Sequence, residues 1–285
     1  MQGVKLDISE AVIRQLASEQ SDTWASRKLG IAVSSFFLLR KKYGIPSFTS
    51  KTKGARRSLV DGRLLRKGEG IAHPCTAGLR SDFFDCIDTP EKAYFLGLMA
   101  TDGHTEWKPQ GKFLSLELQE RDGAIVKRFA ELLNAEHKIE RIAREGKKPT
   151  TRVRIYSSRL TAALMGHGVT LDTETQFLPA SLRSDLRRHC IRGVLDGDGH
   201  IDAKKGSCYI CGCSSALMST VADWLREELG IEAKLKSLRL KSGKTFYQLL
   251  FSGRPAVVLA WAYENQTLSI ERKSAEAEKW LLKGK

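Results

Sequence analysis

One nine-residue pattern occurs twice in the chain. Residues 95–103 read Phe95-Leu96-Gly97-Leu98-Met99-Ala100-Thr101-Asp102-Gly103, and residues 191–199 read Ile191-Arg192-Gly193-Val194-Leu195-Asp196-Gly197-Asp198-Gly199. Each is an apolar stretch of helical character with Gly at the third place, Asp at the eighth and a closing Gly, and each leads into a His and a short run of strand character. The segment between the copies, 103–190, and the tail after the second, 199–285, are almost equally long. Self-similarity at that spacing predicts two matched structural units, each introduced by the same helix.

Physically the pattern describes a helix made to lie against its twin. Gly97, Ala100, Gly193 and Gly197 are small residues that let two helix backbones approach closely, while Leu98, Met99, Val194 and Leu195 face their own cores. Gly103 and Gly199 suit the left-handed residue that ends a helix. Asp102 and Asp198 are the odd members, because a carboxylate in the last helical turn sits at the negative end of the macrodipole. Helices in parallel contact would bring the two carboxylates together, where their repulsion calls for a divalent cation. A single Asp-Gly would read as a turn signal; two copies at domain-scale spacing read as a site.

At these residues the chain resembles the LAGLIDADG homing endonuclease family in its single-chain, two-motif form, from about residue 90 to the C-terminus. The second copy is the closer match, and the first has Ala100 where the family pattern has Asp. The resemblance implies an α+β fold: two pseudo-symmetric αββαββα repeats forming saddle-shaped antiparallel sheets. It implies a site-specific DNA endonuclease that acts as a pseudo-symmetric monomer on double-stranded DNA, with Asp102 and Asp198 as catalytic metal ligands for Mg2+ or Mn2+. The family also places a Lys after the last helix of each repeat. Lys273 occupies that place in the second repeat and Thr173 in the first. Gln119 matches a polar catalytic position at the end of a strand, where the second repeat has Gly212. The two half-sites are therefore expected to be chemically unequal. The rival reading is a DNA-binding regulator or intron RNA maturase that keeps the scaffold without cutting.

The charge agrees with a polyanion partner without choosing between DNA and RNA: 47 Lys and Arg against 33 Asp and Glu give +14. No apolar run approaches the length of a membrane span and the N-terminus lacks a signal-peptide profile, so a soluble, cytoplasmic, DNA-associated protein is expected. Cys208, Cys211 and Cys213 invite a zinc reading, but a partner pair is missing and the run reads as a strand with small apolar fillers, so no zinc is expected.

Four segments follow in order. Residues 1–44 read as a small all-helical domain, with Asp7 and Glu10 as a capping box, Ser21 capping a second helix and Gly30 ending it. A short helix, a Gly turn and a third helix are in helix-turn-helix order, with Ser34, Ser35, Arg40, Lys41 and Lys42 as DNA-binding candidates; a generic three-helix cap is the alternative. Residues 45–85 read as a basic linker whose Lys51, Lys53, Arg56 and Arg57 either track phosphates or belong to a solvated tether. Residues 86–185 form the first repeat. There Leu114, Leu116 and Leu118 point inward, Phe113, Ser115, Glu117 and Gln119 point outward, and Lys108, Arg152, Arg154 and Tyr156 are candidates for a nucleic-acid face. Residues 186–285 form the second repeat, with Lys204, Lys234, Lys236 and Arg239 in the same role.

Overall fold

Two four-stranded sheets stand where the repeated pattern placed them. In a computed structural model, residues 8–19, 21–45, 78–108, 111–239 and 243–283 are described, with the backbone alone for 56–57 and 64–65. The chain divides into two compact units, 1–77 and 78–285.

The first unit contains α1 (Glu10–Glu19), α2 (Asp22–Leu29) and α3 (Val33–Lys42). The Ser21 hydroxyl accepts from the Trp24 amide at 3.4 Å, and Gly30 ends α2 at φ 66°, a left-handed turn that suits glycine. Ile13, Leu16, Ala17, Ala25, Phe36 and Ile45 form the core, and of the two neighbouring Phe residues Phe36 is buried while Phe37 is 45% exposed. Ala32 is the residue before α3, so Ser34 and Ser35 lie inside its first turn. Asp7 of the expected capping box and Lys51 and Lys53 of the arm lie outside the described residues. Within the expected linker, β1 (Arg56–Arg57) pairs antiparallel with β2 (Leu64–Leu65).

The second unit begins earlier than composition suggested. Phe83 and Phe84, assigned to the linker, are buried together with Ile87 in the core of the first repeat. That repeat runs α4 (Pro90–Met99), β3 (Gly103–Lys108), β4 (Gly111–Gln119), α5 (Gly123–Leu132), β5 (Ile139–Ile142), β6 (Thr150–Tyr156) and α6 (Ser158–Gly166). Thr89 caps α4 by accepting from the Lys92 amide at 3.3 Å, and Pro90 takes the first helical position. The second repeat runs α7 (Ser184–Asp198), β7 (Gly199–Asp202), β8 (Ser207–Gly212), α8 (Ser215–Leu229), β9 (Lys234–Arg239), β10 (Thr245–Leu250) and α9 (Pro255–Tyr263), with α10 (Glu271–Lys283) added. The sheets have equivalent strand orders, β3-β4-β6-β5 and β7-β8-β10-β9, and every pairing is antiparallel. This is the αββαββα order expected. One continuous core runs through both repeats, because α4 and α7 are shared between them.

Two details depart from the sequence reading. Gly103 and Gly199 are not left-handed: Gly199 is extended at φ −75°, ψ 141°, and each opens a strand. Their lack of a side chain matters for another reason, since a Cβ would run into the Met99 carbonyl and the Leu195 carbonyl respectively. On β4 the outward Phe113 and Ser115 are buried as well. His104 and Tyr156 close over Phe113 at ring separations of 5.7 and 5.3 Å, and the Arg154 guanidinium lies 4.8 Å from it. The sheet thus covers its own outer centre with aromatic and cationic side chains.

Candidate active site

The site is built where α4 and α7 touch backbone to backbone. A Cβ on Gly97 would collide with the Cys190 carbonyl, and one on Gly193 with the Tyr94 carbonyl and the Leu98 amide. Further along, Gly197 faces Thr101 and the Asp102 carboxylate, while Ala100 is 1% exposed. Side chains at these positions would hold the helices apart; their absence carries the contact down to the ends of both motifs. Asp198 is the last residue of α7, whereas α4 stops at Met99 and Asp102 lies in the turn beyond it, its amide bonded to the Leu98 carbonyl at 2.9 Å.

Both carboxylates are held in an unfavourable setting. Asp102 is pushed up to about 6, by burial first, with Lys273 and Arg272 opposing and Asp122 adding to the rise. Asp198, although its side chain keeps an open surface, is pushed up to about 7 by its surroundings first and then by Asp102, against Lys273. The mutual repulsion is that of two acids sharing one place. A stability prediction follows. Carboxylates of the unfolded chain titrate near 3.8, so the folded protein holds these protons more tightly, and the stability that they contribute is complete below about 4 and lost as pH rises through about 7. With divalent cations chelated, the protein should melt higher near pH 5 than near pH 8, and Asp198→Asn should flatten that dependence. Identical melting profiles for the variant and the parent across this range would count against the repulsion.

Lys273, at the start of α10, is 8% exposed, and its ammonium donates to the carbonyls of Leu195 and Gly199 at the C-terminal end of α7. A cation there complements the helix dipole and lies within electrostatic reach of both Asp102 and Asp198. Next to it, Arg272 grips Asp122 from the first repeat, with both carboxylate oxygens 3.0 Å from Nε. Sequence reasoning missed this pair, whose members lie 150 positions apart in the chain. Gln119, three residues earlier and a candidate for the same site, is exposed at the end of β4 and makes no described contact with either acid.

Asp196, at the sixth place of the second motif, is fully buried and acts as a structural acceptor. It receives the Tyr263 hydroxyl at 2.6 Å, the Ile270 amide at 2.7 Å and the Tyr94 hydroxyl at 2.8 Å, the last from the first repeat. Burial pushes it up to about 6 against those three donors. Arg192 is equally buried and donates to the Leu268 and Ala262 carbonyls at 2.7 Å each.

The Asp198 side differs. A cleft of about 320 Å³ is lined there by Thr101, Thr173, Gln176, Asp198, Cys211 and Gly212, among others. Thr173 thus borders Asp198 and brings no cation of its own, and a Cβ on Gly212 would lie 3.6 Å from the Asp198 carboxylate. Cys208 is buried on the core side of β8, while Cys211, of opposite register, is half-buried beside Asp198. Among the described residues, no three His, Cys, Asp or Glu side chains converge as a metal cluster.

The outer sheet faces carry the remaining candidates. Lys108 is 3.1 Å from Glu106, and Arg152 is 2.6 Å from Glu140 and 3.7 Å from Glu117. Arg154 lies over Phe113, and Tyr156 is 57% exposed. On the second sheet Lys234 and Lys236 share one face of the edge strand β9, register turns Arg239 to the other, and Lys204 is exposed in the β7–β8 turn. In the first unit Ser34, Lys41 and Lys42 are exposed and Ser35 is half-buried. Arg40 is a correction: it is 8% exposed, clasps Asp22 with two nitrogens and donates to the Ile45 carbonyl at 2.8 Å, so it tethers α3 to α2 rather than facing solvent.

The family match follows the division into two repeats. Residues 89–165 and 185–259 both match the LAGLIDADG-like domain. No curated protein sequence matches the chain. Solved structures similar to it include the homing endonuclease I-DmoI in complex with DNA and Ca, at 14% identity over 70% of this chain and 98% of that one, with a TM-score of 0.49. The homing endonuclease I-WcaI bound to its DNA recognition sequence is similar at 10% identity, 74% and 95% coverage and a TM-score of 0.47. Full-length DUF199/WhiA from Thermatoga maritima is similar at 13% identity, 72% and 66% coverage and a TM-score of 0.45. No helix among the described residues is long and apolar enough to cross a membrane. With the two matches covering over half of its length, each taking in one helix of the glycine-packed pair, the chain belongs to the LAGLIDADG-like domain family.

Proposed function

We propose that the protein is a site-specific, metal-dependent endonuclease that hydrolyses phosphodiesters in both strands of duplex DNA. The observation that carries this reading is the meeting of Asp102 and Asp198, one from each repeat, beside the buried ammonium of Lys273. A binder gains nothing from two acids forced together where phosphate must approach.

The residues fit a divalent cation. Asp102, raised by burial, and Asp198, raised by its surroundings and by Asp102, are hard oxygen donors in need of positive charge, so the two would hold Mg2+ or Mn2+. When bound, such an ion neutralises developing phosphate charge and lowers the pKa of a coordinated water. The protein's own contribution is position and charge. The Gly97–Gly193 contact fixes the distance between the acids, Lys273 adds a cation, and the sheet faces hold the duplex across the helix pair.

The two half-sites are unequal: Asp102 has both Lys273 and Arg272 acting on it, whereas Asp198 has Lys273 alone and is bordered by Thr173 and Gly212. One positioned charge is worth roughly a hundredfold in rate. Nicked duplex should therefore accumulate before linear product, Lys273→Met should slow the faster cut, and Thr173→Lys should quicken the slower one. Equal rates in a time course with each strand separately labelled would show that this asymmetry has no kinetic weight.

The same asymmetry favours a second reading, a DNA-binding regulator or RNA maturase that no longer cuts. A nicking assay on a random-site duplex library with Mg2+ and then Mn2+ separates the two. Specific cleavage supports the nuclease, and specific binding with neither strand cut by either ion supports the regulator.

A further inference from the structure

On the outer face of the first sheet Arg152 and the neighbouring Arg144 are tied to carboxylates, whereas Arg154 lies over the Phe113 ring. Arg152, 19% exposed, bonds to Glu140 and lies beside Glu117, which also receives Arg144 at 2.7 Å and Thr150 at 2.7 Å. These arginines hold the Glu117 carboxyl below the usual carboxylate range, the hydrogen bond from Arg144 most of all. The register puts them in one place: Glu117 faces Arg152 across β4–β6, and Arg152 faces Glu140 across β6–β5. On the second sheet Lys234 and Lys236 stand on the outer face of β9 opposite Leu250 and Gln248. Neither has a carboxylate partner among the described residues, and β8, β9 and β10 contain no acid at all.

A carboxylate on a nucleic-acid face is repelled by phosphate. It is useful there only for aiming an arginine or for accepting from a base amine in the major groove. A fork held by carboxylates is fixed in direction, as base readout requires, whereas an unpaired lysine on an edge strand is a mobile point charge suited to phosphate. Resting on the DNA-binding reading above, we infer that the two sheets divide the recognition of the duplex. The Glu117–Arg144–Arg152–Glu140 network reads base edges in one half of the site, and Lys234 and Lys236 hold the backbone of the other half without reading it.

The test selects bound duplexes from a random-sequence library with the full chain, then measures affinity for the selected sequence between about 50 and about 200 mM salt. The selected sequences should be more sharply defined in one half of the site. The double variant Lys234→Gln, Lys236→Gln should weaken all sequences alike and reduce the slope of log affinity against log salt by about 2, near 0.9 per phosphate contact. Arg152→Lys keeps the charge but loses the fork, and Glu117→Gln keeps the size but loses the charge. Each should leave that slope in place and relax discrimination by roughly tenfold or more at positions in the defined half. Circular dichroism and melting of each variant confirm that it is folded. Two equally defined halves would overturn the division. So would a lysine variant with altered sequence preference, or an Arg152 variant with a reduced salt slope and unchanged preference. Failure of the parent protein to bind any duplex would instead overturn the DNA-binding reading itself, and the division with it.

Discussion

Asp198→Asn and Asp102→Asn should each reduce double-strand cleavage by roughly a thousandfold or more while specific binding stays the same or tightens. Each carboxylate comes from a different repeat, and the two meet only because Gly97, Gly193 and Gly197 leave room for it. Removing one takes away half of the oxygen set that a divalent cation would use. It also relieves the repulsion between the two acids, which adds to the effect of desolvation on Asp198, and removes charge that an approaching phosphate would meet. Asn has nearly the same shape, so α4 and α7 should stay packed, and neither residue lies on a sheet face where bases would be read. The two measurements are a cleavage time course with Mg2+ and a binding titration on the same duplex. If either variant cuts at the parental rate, the assignment of these acids to catalysis is wrong. If both lose binding as well, the carboxylates serve the scaffold instead.

The largest loss of stability should come from adding one methyl group at Gly97 or Gly193. At Gly97 the new Cβ would meet the Cys190 carbonyl, and at Gly193 the Tyr94 carbonyl and the Leu98 amide. These are backbone atoms inside helices, so no rotamer change relieves the clash and the helices themselves must separate. Overpacking usually costs about 1–3 kcal/mol, and a site closed by backbone on both sides belongs at or above the top of that range. For a unit of this size each kcal/mol is worth about 2–4 °C, so Gly97→Ala should melt roughly 10 °C lower. Gly166→Ala is the control, because nothing lies within 4 Å of the added atom, and it should be neutral or slightly stabilising. Cleavage should fall with Gly97→Ala even below its melting point, since parting the helices also parts Asp102 from Asp198. A Gly97→Ala protein as stable as the Gly166→Ala control would mean that the helix contact is looser than described.

Much of this arrangement is written in local pattern. A nine-residue signal repeated at domain spacing predicts two matched units, each opened by the same helix, and the alternation of β4 predicts a strand with one face inward; the αββαββα order of each unit came from the resemblance. Small residues at fixed places in two apolar helices were enough to pair those helices, because a backbone contact has few other uses for Gly in a helix interior. With the helices paired, the two eighth-place acids had to share one end. These inferences needed only neighbours within a few turns of chain.

What tertiary structure alone decided lies in contacts between distant residues. Arg40 and Lys41 are adjacent and chemically alike in sequence, yet Asp22 draws Arg40 into the interior while Lys41 stays outside. Gln119 was the candidate beside Asp102, but the end of β4 turns it to solvent, and Asp122 instead meets Arg272 from the far end of the chain. Gly103 and Gly199 are needed for the room that they leave beside the preceding helical turn, not for a left-handed conformation. The charges of the first sheet looked free until register set Glu117 and Glu140 against Arg152. Periodicity specifies which side of its own element a residue occupies, and so it determined the helices, the strands and the pairing of the two acids. It carries no information about which charge on another element will face that side; the folding of the two repeats onto each other supplied that.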